Sequence, residues 1–139
     1  MAINGHIKSH KIGDNMAKFK IVKGREFKCT FIIKEPGSPD PVELIVGDTG
    51  SFILSTYGPA PSILLEVNMA LGTLEDNANG KMFLTLTAEE TALLPSDVQF
   101  GEDGFPLHPT CQALLDITSV VTGKIYAQVP QIYVVDIGD

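Results

Sequence analysis

Apolar and polar side chains alternate from Glu26 to Lys34, with Phe27, Cys29, Phe31 and Ile33 on one face and Lys28, Thr30 and Lys34 on the other. That pattern predicts an antiparallel strand with one face in the core and the other in water. Phe19 and Ile21 start the same rhythm, and Gly24-Arg25 is expected to turn the chain between two strands. The run Glu35-Pro36-Gly37-Ser38-Pro39-Asp40-Pro41 is a turn cluster that no ladder tolerates. After it, Val42–Val46 and Ser51–Thr56 read as short strands, closed by Gly47-Asp48-Thr49-Gly50 and by Gly58-Pro59-Ala60-Pro61.

Ser62–Leu74 fits two periods. Ile63, Leu65, Val67 and Met69 alternate, while Leu64, Ala70 and Leu71 also satisfy a helix. The flanking turn residues and the strand-rich context favour a strand. Asp76-Asn77-Ala78-Asn79-Gly80 then predicts a hairpin loop, with Lys81–Thr87 as the return strand. Thr87-Ala88-Glu89-Glu90 is a capping box, and Pro95 limits the helix it opens to a turn or so. Ser96–Pro109 reads as a long Gly- and Pro-rich loop, and Cys111–Val120 and Lys124–Val135 read as the last strands. Pro130 interrupts the final run, which requires an edge, a bulge or a change of sheet. Without any βαβ alternation, the pattern predicts an all-β fold: a mostly antiparallel β-sandwich of about eight strands with one short helix. Residues 1–16, with Ile3, Ile7 and Ile12 spaced among polar residues, read as an extended N-terminal arm. Residues 17–139 then form a single domain.

The 139 residues are enough for one core, and 44% hydrophobic content excludes an acidic disordered tail. The net charge of −7 is unevenly placed. Residues 1–34 hold eight basic and two acidic side chains (+6), and the rest hold two basic and fifteen acidic (−13). Lys18 and Lys20 alternate with Phe19 and Ile21, as solvated strand faces do, and the acidic remainder repels polyanions. Nucleic acid is therefore not the expected partner; contact between a basic arm and an acidic neighbouring copy is. No run approaches the roughly 18 apolar residues of a membrane span, nor does the N-terminus carry a secretory h-region. Cys29 and Cys111 are too few for a disulfide scaffold and read as buried, reduced thiols.

Candidate chemistry is sparse. His6 and His10 have ligand spacing only on a helix, which Gly5 and Gly13 oppose, and His108 sits in a loop. Glu75-x-Asn77-x-Asn79-Gly80 starts like a calcium loop, but the twelfth position is Leu86 instead of an acid. Acids in Gly47–Gly50 and at Asp97, Glu102 and Asp103 leave room only for a weak surface calcium ion. There is no nucleophile elbow and no phosphate-binding glycine loop. Aromatic content of 7% with no Trp offers no stacking platform. The expectation is a protein that is not an enzyme and has no catalytic, metal or cofactor-binding residues and no cofactor.

Four segments carry a resemblance: Lys23-Gly24-Arg25-Glu26-Phe27-Lys28-Cys29-Thr30-Phe31, Pro41-Val42-Glu43-Leu44, Gly50-Ser51-Phe52-Ile53-Leu54, and the run from Asn79 to Leu94. In this order they resemble small β-sandwich proteins of tailed-bacteriophage virions, in particular the N-terminal domain of phage baseplate upper proteins. The resemblance spans about residues 20–135, leaves residues 1–16 as an added arm, and carries no active site. It implies a structural protein made in the host cytoplasm and located in the virion, most readily a tail or baseplate adaptor present in many copies. Its partners would be other virion proteins and copies of itself. A capsid decoration or head–tail connector protein is the alternative. A receptor- or carbohydrate-binding module working through Ser96–Pro109 is a second. The candidate interface residues are Ile3, Ile7, Lys8, Lys11 and Ile12 of the arm and Phe100, Phe105 and Leu107 of the long loop. Three buried isoleucines at roughly 1.5–3 kcal/mol each outweigh exposed lysines at about 0–1.

Overall fold

A computed structural model describes residues 6–7, 10–11, 19–35, 37–96 and 108–136, the first four and Pro130 by backbone alone. Among them the chain forms strands β1 (His6–Ile7), β2 (His10–Lys11), β3 (Phe19–Val22), β4 (Phe27–Ile32), β5 (Thr49–Thr56) and β6 (Ile63–Met69). Helix α1 (Leu74–Ala78), strand β7 (Lys81–Leu86), helix α2 (Ala88–Ala92), and strands β8 (Cys111–Ser119) and β9 (Gly123–Val135) complete it. The strands make two sheets, in the orders β2-β1-β4-β7 and β3-β9-β8-β5-β6. All pairings are antiparallel except β3 with β9. The expected mostly antiparallel sandwich is the observed fold.

Alternation puts the core between the sheets. Phe31, Met82, Leu84 and Leu86 of the smaller sheet face Phe52, Leu54, Leu115 and Ile117 of the larger, all of them buried. The ring of Phe31 lies 5.9 Å from that of Phe19 and 6.1 Å from that of Phe52, so one side chain of the smaller sheet touches two strands of the larger. Each such pair adds about 0.5–1.5 kcal/mol beyond the burial of its area.

The strand register defines two ends. At the lower end lie Thr49–Thr118, Gly50–Met69 and the start of β7; at the upper end lie Thr56–Cys111, Phe27–Leu86 and Val22–Val135. The Gly24-Arg25 turn is at the upper end, where Gly24 has φ +82°, and it passes the chain from the larger sheet to the smaller. Thr91 of α2 fastens this turn, its Oγ1 accepting from the Gly24 N–H at 3.0 Å and donating to the Arg25 carbonyl at 2.8 Å. The predicted Thr87–Glu90 capping box is present, with both hydrogen bonds made.

Three local expectations are corrected. Val42–Val46 is not a ladder strand: Val42 N–H bonds to the Ile33 carbonyl and Leu44 N–H to the Asn77 carbonyl, and Val46 already belongs to the turn that follows. Its alternation survives because Val42 and Leu44 are buried while Glu43 is exposed. Asp76–Gly80 is not a hairpin loop, because β6 and β7 belong to different sheets and Leu74–Ala78 is a helix crossing between them. Thr73 and Asp76 form a second capping box that starts it. Ile63 does not share a face with Leu65, Val67 and Met69. The register shifts at Leu54/Ser55, so Ser55 opposes Ile63 and Ile63 turns outward, 67% exposed. The Pro130 region resolves as an irregularity within the β8–β9 pairing: Ala113 opposes Val129, but Cys111 opposes Ile132.

Gly80 ends α1 at φ +71°, and a Cβ there would lie 2.8 Å from the Ile33 carbonyl oxygen and 2.9 Å from that of Val42. Both neighbours are backbone and cannot move aside. Gly80→Ala is expected to lower the unfolding free energy by roughly 2–4 kcal/mol, measured as a lower urea midpoint at an unchanged m value.

Candidate interaction surfaces

The lower end carries an apolar projection made by two loops. Residues 45–48 precede β5 and residues 120–122 join β8 to β9. Asp48, only 5% exposed, holds them together: one carboxylate oxygen accepts from the Ile45 N–H at 2.9 Å and the other from the Val120 N–H at 2.7 Å. Buried Ser119 fixes the second loop, its Oγ accepting from the Val121 and Thr122 N–H groups and from the Thr122 hydroxyl. Gly47 turns the first loop at φ +103° and leaves Val120 close by. With the N–H groups of Ile45, Val120, Val121 and Thr122 bonded from inside, the loops expose Val46 (79%), Val120 (67%) and Val121 (75%) at one tip. The sequence marked Gly47–Gly50 as a turn with room for a weakly held calcium ion; both Asp48 oxygens are instead turned onto backbone N–H groups.

The second surface is an open groove of about 530 Å³ on the outer face of the larger sheet, toward its upper end. Ile53, Pro61, Ile63 and Leu114 supply its apolar lining, and Gln112 and Gln128 its polar one. The register shift in β5–β6 builds it by bringing Ile63 to this face. Gln112 is held by the Gly58 N–H, which donates to its Oε1 at 3.4 Å. No ionisable side chain is among the described lining residues.

Of the residues expected at an interface, Ile7 and Lys11 fall in β1 and β2 at the edge of the smaller sheet, with Ile7 in register with Phe31. Ile3, Lys8, Ile12, Phe100, Phe105 and Leu107 lie outside the described residues, as does most of the Ser96–Pro109 loop. Sequence reasoning passed over Val46, Val120, Val121 and Ile63. The visible signal was the apolar pair Val120-Val121 set directly before a Thr-Gly turn, where solvated residues are expected.

Chemistry-bearing groups are dispersed. Among the described residues, no three of His, Cys, Asp and Glu gather as a metal-holding group. No helix among the described residues is long and apolar enough to cross a membrane. Lys124 pairs with Asp116 at 3.0 Å on the outer face, and Lys81 lies 3.8 Å from Asp76 at the lower end. Both cysteines are free; Cys111 is buried and Cys29 partly so, in different sheets. Burial pushes each thiol up from 9.0 to about 12. Compared with known proteins, the chain matches no family model and no curated sequence.

Asp48→Ala strands two backbone donors and is expected to cost about 2–4 kcal/mol, with Asp48→Asn, which keeps one acceptor, losing about half as much in urea titrations. The thiols set an alkaline limit. The unfolded chain releases their protons near pH 9.0, whereas the folded chain holds them to about 12, so stability falls as pH rises through that window. Urea midpoints taken between pH 8 and 11 should drop less steeply for Cys111→Ala than for the unaltered chain.

Proposed function

We propose that this chain is a non-enzymatic structural protein of a tailed-bacteriophage virion, serving in the tail or baseplate as an adaptor present in many copies. The virion assignment rests on the resemblance of the four segments. Within Asn79–Leu94, the polar groups of the β7–α2 unit serve folding: Thr87 and Glu90 cap the helix and Thr91 ties down the 24–25 turn. The observation that carries an assembly role is the pair of organised surfaces: an apolar tip whose carboxylate, Asp48, is turned inward onto backbone N–H groups, and an apolar groove with no ionisable lining among the described residues. Apolar surfaces with satisfied backbones suit contact between proteins better than chemistry on a substrate.

The arm supplies the second part of the reading. Among the described residues β1 meets β4 at Ile7–Phe31, and β7 meets β4 along its whole length, from Phe27–Leu86 to Ile32–Lys81. An arm strand placed at a sheet edge can exchange its own sheet for that of a neighbour. Deleting residues 1–16 is expected to preserve the β-rich circular dichroism spectrum and abolish incorporation into particles, assayed by blotting purified virions. Normal incorporation of the shortened chain would overturn the adaptor reading.

A further inference from the structure

The tip and the groove lie at opposite ends of the same strand pair. Thr49–Thr118 sits beneath the tip, and Ser55–Gln112 sits at the groove. Six residue steps of β5 separate these levels, about 20 Å along the strand direction. We propose that the Val46–Val120–Val121 tip of one copy seats in the Ile53–Ile63–Leu114 groove of a second copy, so that the chain associates head to tail. This deepens the adaptor reading and rests on it.

Three features select a second copy in this orientation. The first is fit: the groove, at about 530 Å³, holds the volume of some fifteen to twenty waters, at about 30 Å³ each, which several valine-sized groups can replace. The second is the cost of dehydration. No ionisable group lines the groove, and the carboxylate at the tip, Asp48, already spends both oxygens inside its own loops. Closing the contact therefore buries no unpaired charge.

The third is electrostatic. Among the described residues, the lower end carries Glu35, Asp40, Glu43, Glu75, Asp76 and Asp116 against Lys34, Lys81 and Lys124. Among the described residues, Lys20, Lys23, Arg25 and Lys28 stand at the upper end with Glu26, Glu89, Glu90 and Asp136, in balance. A two-fold contact of tip against tip would bring two acidic ends together and leave both grooves empty. Tip in groove keeps the acidic ends apart and fills both surfaces. Such a contact is heterologous, so each copy still offers one free tip and one free groove, and the chain continues to grow or closes as a ring.

The test uses the full chain and two exposed positions. Val121→Asp blocks the tip, and Ile63→Asp blocks the groove. Circular dichroism and urea midpoints matching those of the unaltered chain establish that both variants fold; Val46→Asp and Gln128→Arg replace either one that does not. By sedimentation velocity in 0.15 M salt, the unaltered chain is expected to form oligomers that grow with concentration, and each variant alone to stay monomeric. An equimolar mixture retains one intact tip and one intact groove, and is expected to give a 1:1 dimer and nothing larger, at least tenfold tighter than either variant with itself. An unaltered chain that stays monomeric to about 1 mM overturns the proposal, as does a mixture that fails to pair. Binding of the unaltered monomer to phosphatidylcholine vesicles, lost in Val121→Asp, would instead assign the tip to a lipid surface. If pairing fails while deletion of residues 1–16 still abolishes incorporation, the head-to-tail contact falls and the adaptor reading stands.

Discussion

The Phe31 ring, fully buried between Phe19 and Phe52, joins the two sheets and sets how everything at their ends can be placed. Sandwiches hold their layers about 10 Å apart by interdigitating inner-face side chains, and here one phenylalanine from the smaller sheet contacts two strands of the larger that are far apart in sequence. Once that contact forms, β4 and β7 are fixed in register beneath β5 and β8, and every connection between layers must pass over the upper or lower end. The ends are thus where sequence has freedom. They also hold the side-chain hydrogen bonds that organise loops.

Among the described residues those hydrogen bonds share a feature: short polar side chains fasten the turns and helix starts at the two ends, some from close in sequence and some from far along the chain. Thr91 receives and passes on hydrogen bonds at the Gly24-Arg25 turn. Thr73 with Asp76 starts the helix that carries the chain from β6 to β7. Asp48 and Ser119 fix the two loops of the lower tip. Nearly all of these hydrogen bonds go to backbone partners. The result is loops whose polar interiors are satisfied and whose outward residues are free to be apolar. That is how Val46, Val120 and Val121 stand in water above N–H groups bonded by Asp48 and Ser119.

What local pattern could tell of this architecture was the alternation and the caps. Phe27–Ile33 and the Thr87–Glu90 box were legible because their physics is contained within a few residues. Thr73–Asp76 carries the same capping signal, but the neighbouring Asn79-Gly80 reads equally well as a hairpin, and only the assignment of β6 and β7 to different sheets decides between them. The outward turn of Ile63 was hidden for a similar reason: a register shift belongs to the pair β5–β6, and no single strand records it. The parallel pairing of β3 with β9 joins positions more than a hundred residues apart, as in Phe19–Ile132. The groove collects outward residues from four strands, each unremarkable in its own segment. Nothing in the sequence marks them as neighbours until the sheet exists.

The edges of the larger sheet bear on how copies of such a protein can meet. β6 is an edge strand, and an open edge invites pairing with any other extended chain. Pro59 and Pro61 stand just before it, and Glu66 projects, exposed, from its middle. Laying β6 against β6 of another copy about its centre would set Glu66 close to its own equivalent, a like-charge contact that opposes the added ladder. Backbone addition at this edge is therefore discouraged, while the apolar groove immediately beside it carries no such charge. The charge split first seen along the sequence, basic before residue 35 and acidic after, is not the one that governs this choice. Folding interleaves the basic strands with the rest, and the asymmetry that remains among the described residues is between an acidic lower end and a balanced upper one. An acidic end that projects valines meets least resistance on a neutral groove, and the neutral groove nearest to hand is the one on another copy.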